Sequence, residues 1–185
     1  TKVLALIPHV ARIKRSELAV MSATRKFSRL AESVAGLRGL LESPRYRELA
    51  RVVLVVSTQP EEGKTVVASN LALAYAMAGQ KTLLVDFDLR RPRINRVFKV
   101  EPSAAANLAD VLNAADPAAF DRLPLPSGFD NLDLVTARAS AHLSPAAIMG
   151  SDMLPKFFQW ARERYEHVIV DSPPFGLVGD AVVLA

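Results

Sequence analysis

The chain has 185 residues, of which half are hydrophobic and 23% charged, with a formal net charge of +4. That is enough for one globular domain with a sizeable core, and the mild positive charge suits an anion-handling protein without requiring one. The lack of cysteine excludes disulfides and thiolate metal sites. No apolar run approaches the roughly 18–20 residues of a membrane-spanning helix.

"KVLALIP" reads as a short extended lead-in, and its apolar stretch, broken at Pro8, is too short for a signal peptide. The chain starts at Thr1 and ends in "GDAVVLA", which reads as the opening turns of a helix capped by Asp180. Both ends therefore read as cut, and the chain is expected to be part of something longer. Residues 16–42 predict one helix, because Val20, Ala23, Phe27, Leu30, Val34, Leu37 and Leu41 alternate spacings of three and four. Gly36 and Gly39 weaken its last turns. Ser43-Pro44 breaks it, and Pro44 suits the first turn of a second short helix over 44–50.

An α/β rhythm follows. "RVVLVVS" has no polar alternation, as expected of a buried parallel strand. Residues 63–79 predict an Ala/Leu/Val-rich helix closed by Gly79. "KTLLVDFD" is a second buried strand, "NLADVLN" a short helix, and residues 116–130, with three prolines and a glycine, a loop. "NLDLVTA" is a third strand. "SDMLPKFFQWARERY" is a helix with Ser151 as N-cap and Leu154, Phe157, Ala161 and Tyr165 on its apolar face. "HVIVDSPP" is the fourth strand. Strands alternating with helices predict a mostly parallel sheet flanked by helices.

The stretch "STQPEEGKT", residues 57–65, carries the chemistry. It ends in Gly-Lys-Thr like a phosphate-binding loop, but Thr58 stands where G-x-x-x-x-G-K-[ST] wants glycine. Its context is the one the motif requires: a buried strand, a turn, then a helix whose first turn holds Lys64 and Thr65. Backbone N–H groups there can face phosphates, the lysine can reach the terminal ones, and the hydroxyl can take Mg²⁺. Pro60 removes one N–H donor, and Glu61 and Glu62 place negative charge beside an anion site, a cost unless both side chains point into solvent.

Asp86 and Asp88 end the second strand and Asp171 ends the fourth, where the ligand crevice of an open α/β sheet lies. Such acids can hold Mg²⁺ directly or through its waters, and one can orient or take a proton from an attacking hydroxyl. Arg90, Arg91 and Arg93 can stabilise phosphate charge, although at least two of the three read as a solvated basic turn. His9, His142 and His167 show no ligand spacing and receive no role.

"STQPEEGKTVVASNLALAYAMAG", "TLLVDFDLRRP" and "HVIVDSPP", in this order, resemble the bacterial tyrosine kinases, the cytoplasmic P-loop domains of polysaccharide co-polymerases that control capsule and exopolysaccharide export. In that family the loop reads S-x-x-P-x-x-G-K-[ST], which Ser57, Pro60, Gly63, Lys64 and Thr65 match. Thr58 is then the family's habit. Related partitioning and division-site ATPases carry a signature lysine where this chain has Gln59.

The resemblance implies a SIMIBI/MinD-like P-loop fold, truncated at its C-terminus, with an N-terminal helical extension. The divisions are a lead-in at 1–15 after an upstream membrane helix, N-terminal helices at 16–50 and a nucleotide-binding core at 51–185. ATP and Mg²⁺ are the implied cofactors. Gln59, Pro60, Glu61, Glu62, Gly63, Lys64, Thr65 and Val66 would form the nucleotide loop. Thr65, Asp88 and Asp171 would hold the metal, and Asp86 would be the base for a tyrosine hydroxyl. Glu32 and Arg38 fall in the family's E-x-x-R-x-x-R oligomerisation helix, whose middle arginine is Ala35 here, and a histidine usual after "RRP" is Asn95.

The implied activity is an autokinase at the inner face of the cell membrane. Its partners would be a tyrosine tail of its own or a neighbouring subunit beyond residue 185, a co-polymerase membrane segment and further copies of itself, with no nucleic acid. Two alternatives stand beside it: a kinase-inactive, nucleotide-gated module that controls co-polymerase assembly, and a partitioning-type positioning ATPase.

Overall fold

Hydrophobic runs without polar alternation have to be covered on both faces, and the structure shows how. It is a computed structural model that describes residues 5–10, 13–25, 28–101, 107–138, 148 and 150–174. Five strands, β1 (Val52–Val55), β2 (Thr82–Asp86), β3 (Leu125–Pro126), β4 (Leu132–Val135) and β5 (His167–Asp171), form one sheet in the order β1-β5-β2-β4-β3. All neighbours are parallel except the short β3, which runs antiparallel to β4. Along β2, Leu83 and Val85 enter one apolar cluster and Leu84 the other; along β5, Val168 and Val170 part from Ile169 in the same way. The period of two is present, but both of its faces are core.

One face is covered by α4 (Lys64–Met77), with α1 (Arg15–Ala19), α2 (Met21–Thr24) and α3 (Arg29–Leu41) packed on it, and by α5 (Ile94–Phe98). The other face takes α6 (Leu108–Ala114), the 3₁₀ turn Pro117–Arg122 and α7 (Met153–Arg164). On α7, Leu154, Phe157 and Ala161 are buried, with Tyr165 just beyond its end, as the periodicity predicts. The helix begins one residue later than expected, and Ser151 Oγ accepts the Met153 N–H at 3.1 Å. Gly79 follows α4 at φ 85°, with Gly79 N–H on Ala76 O and Gln80 N–H on Tyr75 O. That is the left-handed turn a terminal glycine permits.

The single helix expected over 16–42 is three helices. The chain leaves helical geometry at Val20 (φ −113°, ψ 17°) and at Arg25 (φ −138°, ψ 69°). Tertiary contacts replace the lost helical bonds. Asn70, fully buried on α4, accepts the Ser22 N–H at 2.7 Å and donates to Leu18 O at 2.8 Å. Ser28 then caps α3 by accepting the Ala31 N–H. The apolar stripe survives the break, because each piece turns its own apolar side to α4; its member Phe27 lies outside the described residues.

The short helix expected at 44–50 is a set of turns ending in the 3₁₀ segment Leu49–Arg51. The loop expected at 116–130 contains a 3₁₀ helix, started by Asp116 accepting the Ala118 N–H, and the strand β3. Helix α5, five residues long, has no periodic signal in the sequence. Asp180 and His142 lie outside the described residues.

Candidate nucleotide-binding site

The parallel sheet sends the C-terminal ends of β1, β2 and β5 to one edge, and the site is built there. β1 runs into the 57–65 loop, and α4 leaves it at Lys64. The reversal needs positive φ twice, at Glu61 (69°) and at Gly63 (95°), which precedes the first helical residue. Only glycine adopts the second angle without strain, which accounts for the glycine before Lys64. Lys64 Nζ donates to Ser57 Oγ at 2.8 Å, and Ser57 Oγ donates to Gln59 O at 2.7 Å. The lysine thus folds back over the loop. Thr65 Oγ1 donates to Asp171 Oδ2 at 2.6 Å, joining the start of α4 to the end of β5.

Asp86 and Asp171 are register partners at the ends of β2 and β5. Asp171 is 2% exposed; burial lifts its pKa to about 6, against the pull of the Thr65 hydroxyl and the Lys64 charge. Asp86 is wholly buried and held well above the usual carboxylate range by desolvation and by the Asp171 charge. Its Oδ2 accepts the Arg93 and Ile94 N–H groups at 2.8 and 2.9 Å, which starts α5. Asp86 Oδ1 and Asp171 Oδ1 are buried without a protein partner. Asp88, two residues on, is half-buried and faces the cleft, with Oδ1 accepting the Arg91 N–H at 3.0 Å.

A cleft of about 1060 Å³ opens over these groups. The loop from Pro60 to Thr65, Asp88, Arg90, Arg91, Arg93 and Pro173 line it. The N-terminal segment also lines it, with Ile7, Val10 and Ile13. Pro60, Glu61, Glu62, Gly63, Lys64, Thr65, Val66 and Asp88 line the cleft. Gln59 does not, and its N–H donates to the Glu62 carboxylate at 3.1 Å. Asp86 and Asp171 lie below the cleft and not in its wall. Of the three arginines, Arg90 and Arg91 are exposed, while Arg93 is half-buried and acts electrostatically on Asp171. Glu32 and Arg38 sit on α3 outside the cleft wall, and Arg38 is paired with Glu42 at 2.7 Å.

Two residues are not legible in the sequence. Asn70 sits in a helix that is apolar almost throughout, and an asparagine inside such a run is the only signal of its role. The closure of the Glu62 side chain on residues 58 and 59 follows a short-range acceptor pattern that no motif encodes.

Comparison with known proteins agrees with this geometry. The profile of the family described as "AAA domain" matches residues 50–183. The tyrosine-protein kinase YwqD of Bacillus subtilis (strain 168) is 30% identical over 94% of this chain and 71% of its own length. The tyrosine-protein kinase Etk of Escherichia coli (strain K12) is 31% identical over 83% of this chain, which spans only 20% of Etk. Among solved structures, the kinase domain of Escherichia coli Etk superposes with a TM-score of 0.84 at 26% identity, over 99% of this chain and 73% of that domain. The septum site-determining protein MinD of Pyrococcus horikoshii OT3, solved with Mg-ADP, gives a TM-score of 0.59 at 25% identity, over 72% of this chain and 52% of MinD. Motifs, fold and relatives converge: the chain belongs to the AAA-domain P-loop family, in its bacterial tyrosine-kinase branch.

Proposed function

We propose that this chain is the nucleotide-binding part of an ATP-dependent protein-tyrosine kinase. The observation that carries the reading is the junction at the cleft floor. There the Thr65 hydroxyl, at the start of the phosphate-loop helix, bonds to Asp171 at the end of β5, under the folded-back Lys64. A helix N-terminus with a lysine and a hydroxyl above clustered carboxylates is an arrangement for a phosphate chain and a divalent cation.

The residues present fit Mg²⁺. Asp171 Oδ1 is buried and without a protein partner, the Thr65 hydroxyl lies beside it, and Asp88 faces the cleft. Among the described residues no three His, Cys, Asp or Glu side chains form a ready cage. That suits an ion that keeps several waters and takes phosphate oxygens as ligands. Thr65, Asp88 and Asp171 would hold it, and it would neutralise charge on the phosphates. Lys64 binds the phosphates, and Arg93 adds positive charge on the same side. Asp86 is the proposed proton acceptor for the tyrosine hydroxyl, on the strength of its unpartnered Oδ1; because it lies beneath the cleft wall with burial favouring its protonated form, the role requires nucleotide and acceptor to open a path to it and to ionise it.

The acceptor would be a tyrosine of the same or a neighbouring subunit. The setting would be the cytoplasmic side of a polysaccharide co-polymerase that governs capsule or exopolysaccharide export. A second reading, a nucleotide-gated module without tyrosine transfer, is favoured by one observation: Ala35 stands exposed where the family's assembly helix carries arginine. The test is to follow the γ-phosphate label of Mg-ATP in the full-length protein, with Lys64→Met as control. Label on tyrosine that disappears in the control supports the kinase. Label released only as phosphate moves the assignment to the gated module.

A further inference from the structure

Glu62 stands inside a loop read as binding phosphate, where a free carboxylate would repel the ligand. The structure shows it engaged. Its Oε2 accepts the N–H groups of Thr58 and Gln59 at 3.0 and 3.1 Å, and the Thr58 hydroxyl donates to Oε1 and Oε2 at 3.2 and 3.3 Å. Two successive N–H groups converging on one oxygen form an anion nest, filled here from within the loop. The Gln59 N–H, first of all, holds the Glu62 carboxyl below its ordinary range.

The contacts continue from there. Gln59 O accepts from Ser57 Oγ, which in turn receives Lys64 Nζ. The shape of residues 57–59 is therefore set from one side by Glu62 and read out on the other by the lysine. This loop lacks the glycine at 58 that shapes the ordinary motif, and Pro60 supplies no N–H. Something else has to fix its first half.

We propose that Glu62 is a positioning residue: by capping the N–H groups of residues 58 and 59 it holds the glycine-poor half of the loop in the form that presents Lys64 to the nucleotide phosphates. Its carboxylate is engaged with the loop, and it acts through Ser57 and Lys64. The role rests on the nucleotide-binding part of the function proposed above.

The side chain's geometry makes the idea separable from charge. Both backbone contacts go to one oxygen, so the side-chain amide of the Glu62→Gln variant can keep them with its carbonyl oxygen while its NH₂ group donates to the Thr58 hydroxyl. Glu62→Ala keeps nothing, and Glu62→Asp is one methylene too short. The probe is Mg-ADP, titrated against the full-length protein and each variant, with thermal unfolding alongside. Glu62→Ala and Glu62→Asp are expected to bind about tenfold more weakly, roughly what one ordinary net hydrogen bond is worth, because solvent screens the contacts of an exposed carboxylate. Glu62→Gln is expected within about threefold of the parent. Unfolding temperatures should not move, because the residue is exposed.

Glu62→Ala binding as tightly as the parent, or more tightly, overturns the role and leaves Glu62 as a repulsive charge. Glu62→Gln binding as poorly as Glu62→Ala overturns it too, because charge and not capping would then be at work. A parent that binds no Mg-ADP overturns the nucleotide reading itself, and this role with it.

Discussion

Replacing Asp171 by asparagine is expected to stabilise the nucleotide-free domain at the expense of the Mg²⁺ site proposed for it. Asp171 is buried under the cleft, and its pKa rises from 3.8 to about 6, chiefly through desolvation. A group whose folded pKa is raised stabilises the fold while it is protonated, and that stability is lost as pH rises from the unfolded value through the folded one. The rise corresponds to about 3 kcal/mol of destabilisation near pH 8 and roughly half of that near pH 5. Asp171→Asn removes the charge and keeps a carbonyl oxygen for the Thr65 hydroxyl. It also relieves Asp86, whose pKa is raised in part by Asp171, and this acts in the same direction.

His167 has the opposite sign. Burial lowers its pKa, so its contribution is lost as pH falls, but it is common to parent and variant and cancels in their difference. The assay is urea unfolding of both proteins between about pH 5 and pH 8, without Mg²⁺ or nucleotide. The variant should gain about 3 kcal/mol near pH 8 and clearly less near pH 5. A variant whose advantage does not grow with pH, or which is weaker than the parent near pH 8, refutes the reasoning.

Asn70→Ala strands the Ser22 N–H and Leu18 O, both bonded to the Asn70 side chain at 2.7 and 2.8 Å. It should cost about 2–4 kcal/mol in urea unfolding, and hydrogen exchange should speed up first in α1 and α2. Phe157 is fully buried, with Phe120 and Trp160 ring centroids each 5.7 Å away. Phe157→Ala should cost about 3–5 kcal/mol by denaturant titration and leave Mg-ADP affinity nearly unchanged, because α7 lies on the face of the sheet away from α4.

What can be read in the sequence is what local chemistry decides. β1, β2 and β5 are legible because a short apolar run in an α/β rhythm admits few alternatives, and β4 because Leu132, Leu134 and Val135 keep the pattern around Asp133. The loop is legible because Gly63 is required by its φ of 95°, and because Lys64 and Thr65 follow it at fixed spacing. The breaks at Val20 and Arg25 are not legible. The periodic stripe continues through them, and the group that makes them favourable, Asn70, is 48 residues from Ser22. Tertiary satisfaction of backbone groups there outweighs helix propagation. Helix α5 escapes for the same reason: two of its first N–H groups are capped by Asp86, seven and eight residues upstream and in another element. The acids are legible as a set, but their division is not. That Asp88 faces the cleft while Asp86 and Asp171 lie beneath it depends on how far β2 and β5 run before the chain turns.

Self-association through α3 is expected to be weak, and magnitudes locate the obstacle. Glu32, Ala35 and Arg38 follow one another at intervals of three and so share one side of the helix. Arg38 is occupied, since its Nη1 lies 2.7 and 2.9 Å from the two Glu42 oxygens. A partly exposed i,i+4 pair of this kind contributes only about 0.3–0.5 kcal/mol, so exchanging Glu42 for a carboxylate of a second copy costs little. For copies that meet through this side of α3, the guanidinium absent at position 35 would be the larger loss, because close charge pairs across an interface couple by about 1.5 kcal/mol or more. Ala35→Arg should therefore tighten self-association about tenfold or more in sedimentation velocity at low salt, and the gain should fade as salt is raised. Glu42→Gln, which merely frees Arg38, should change it less than about threefold. If Glu42→Gln assembles the protein while Ala35→Arg does not, the obstacle lies in the Arg38–Glu42 pair, and position 35 does not decide assembly.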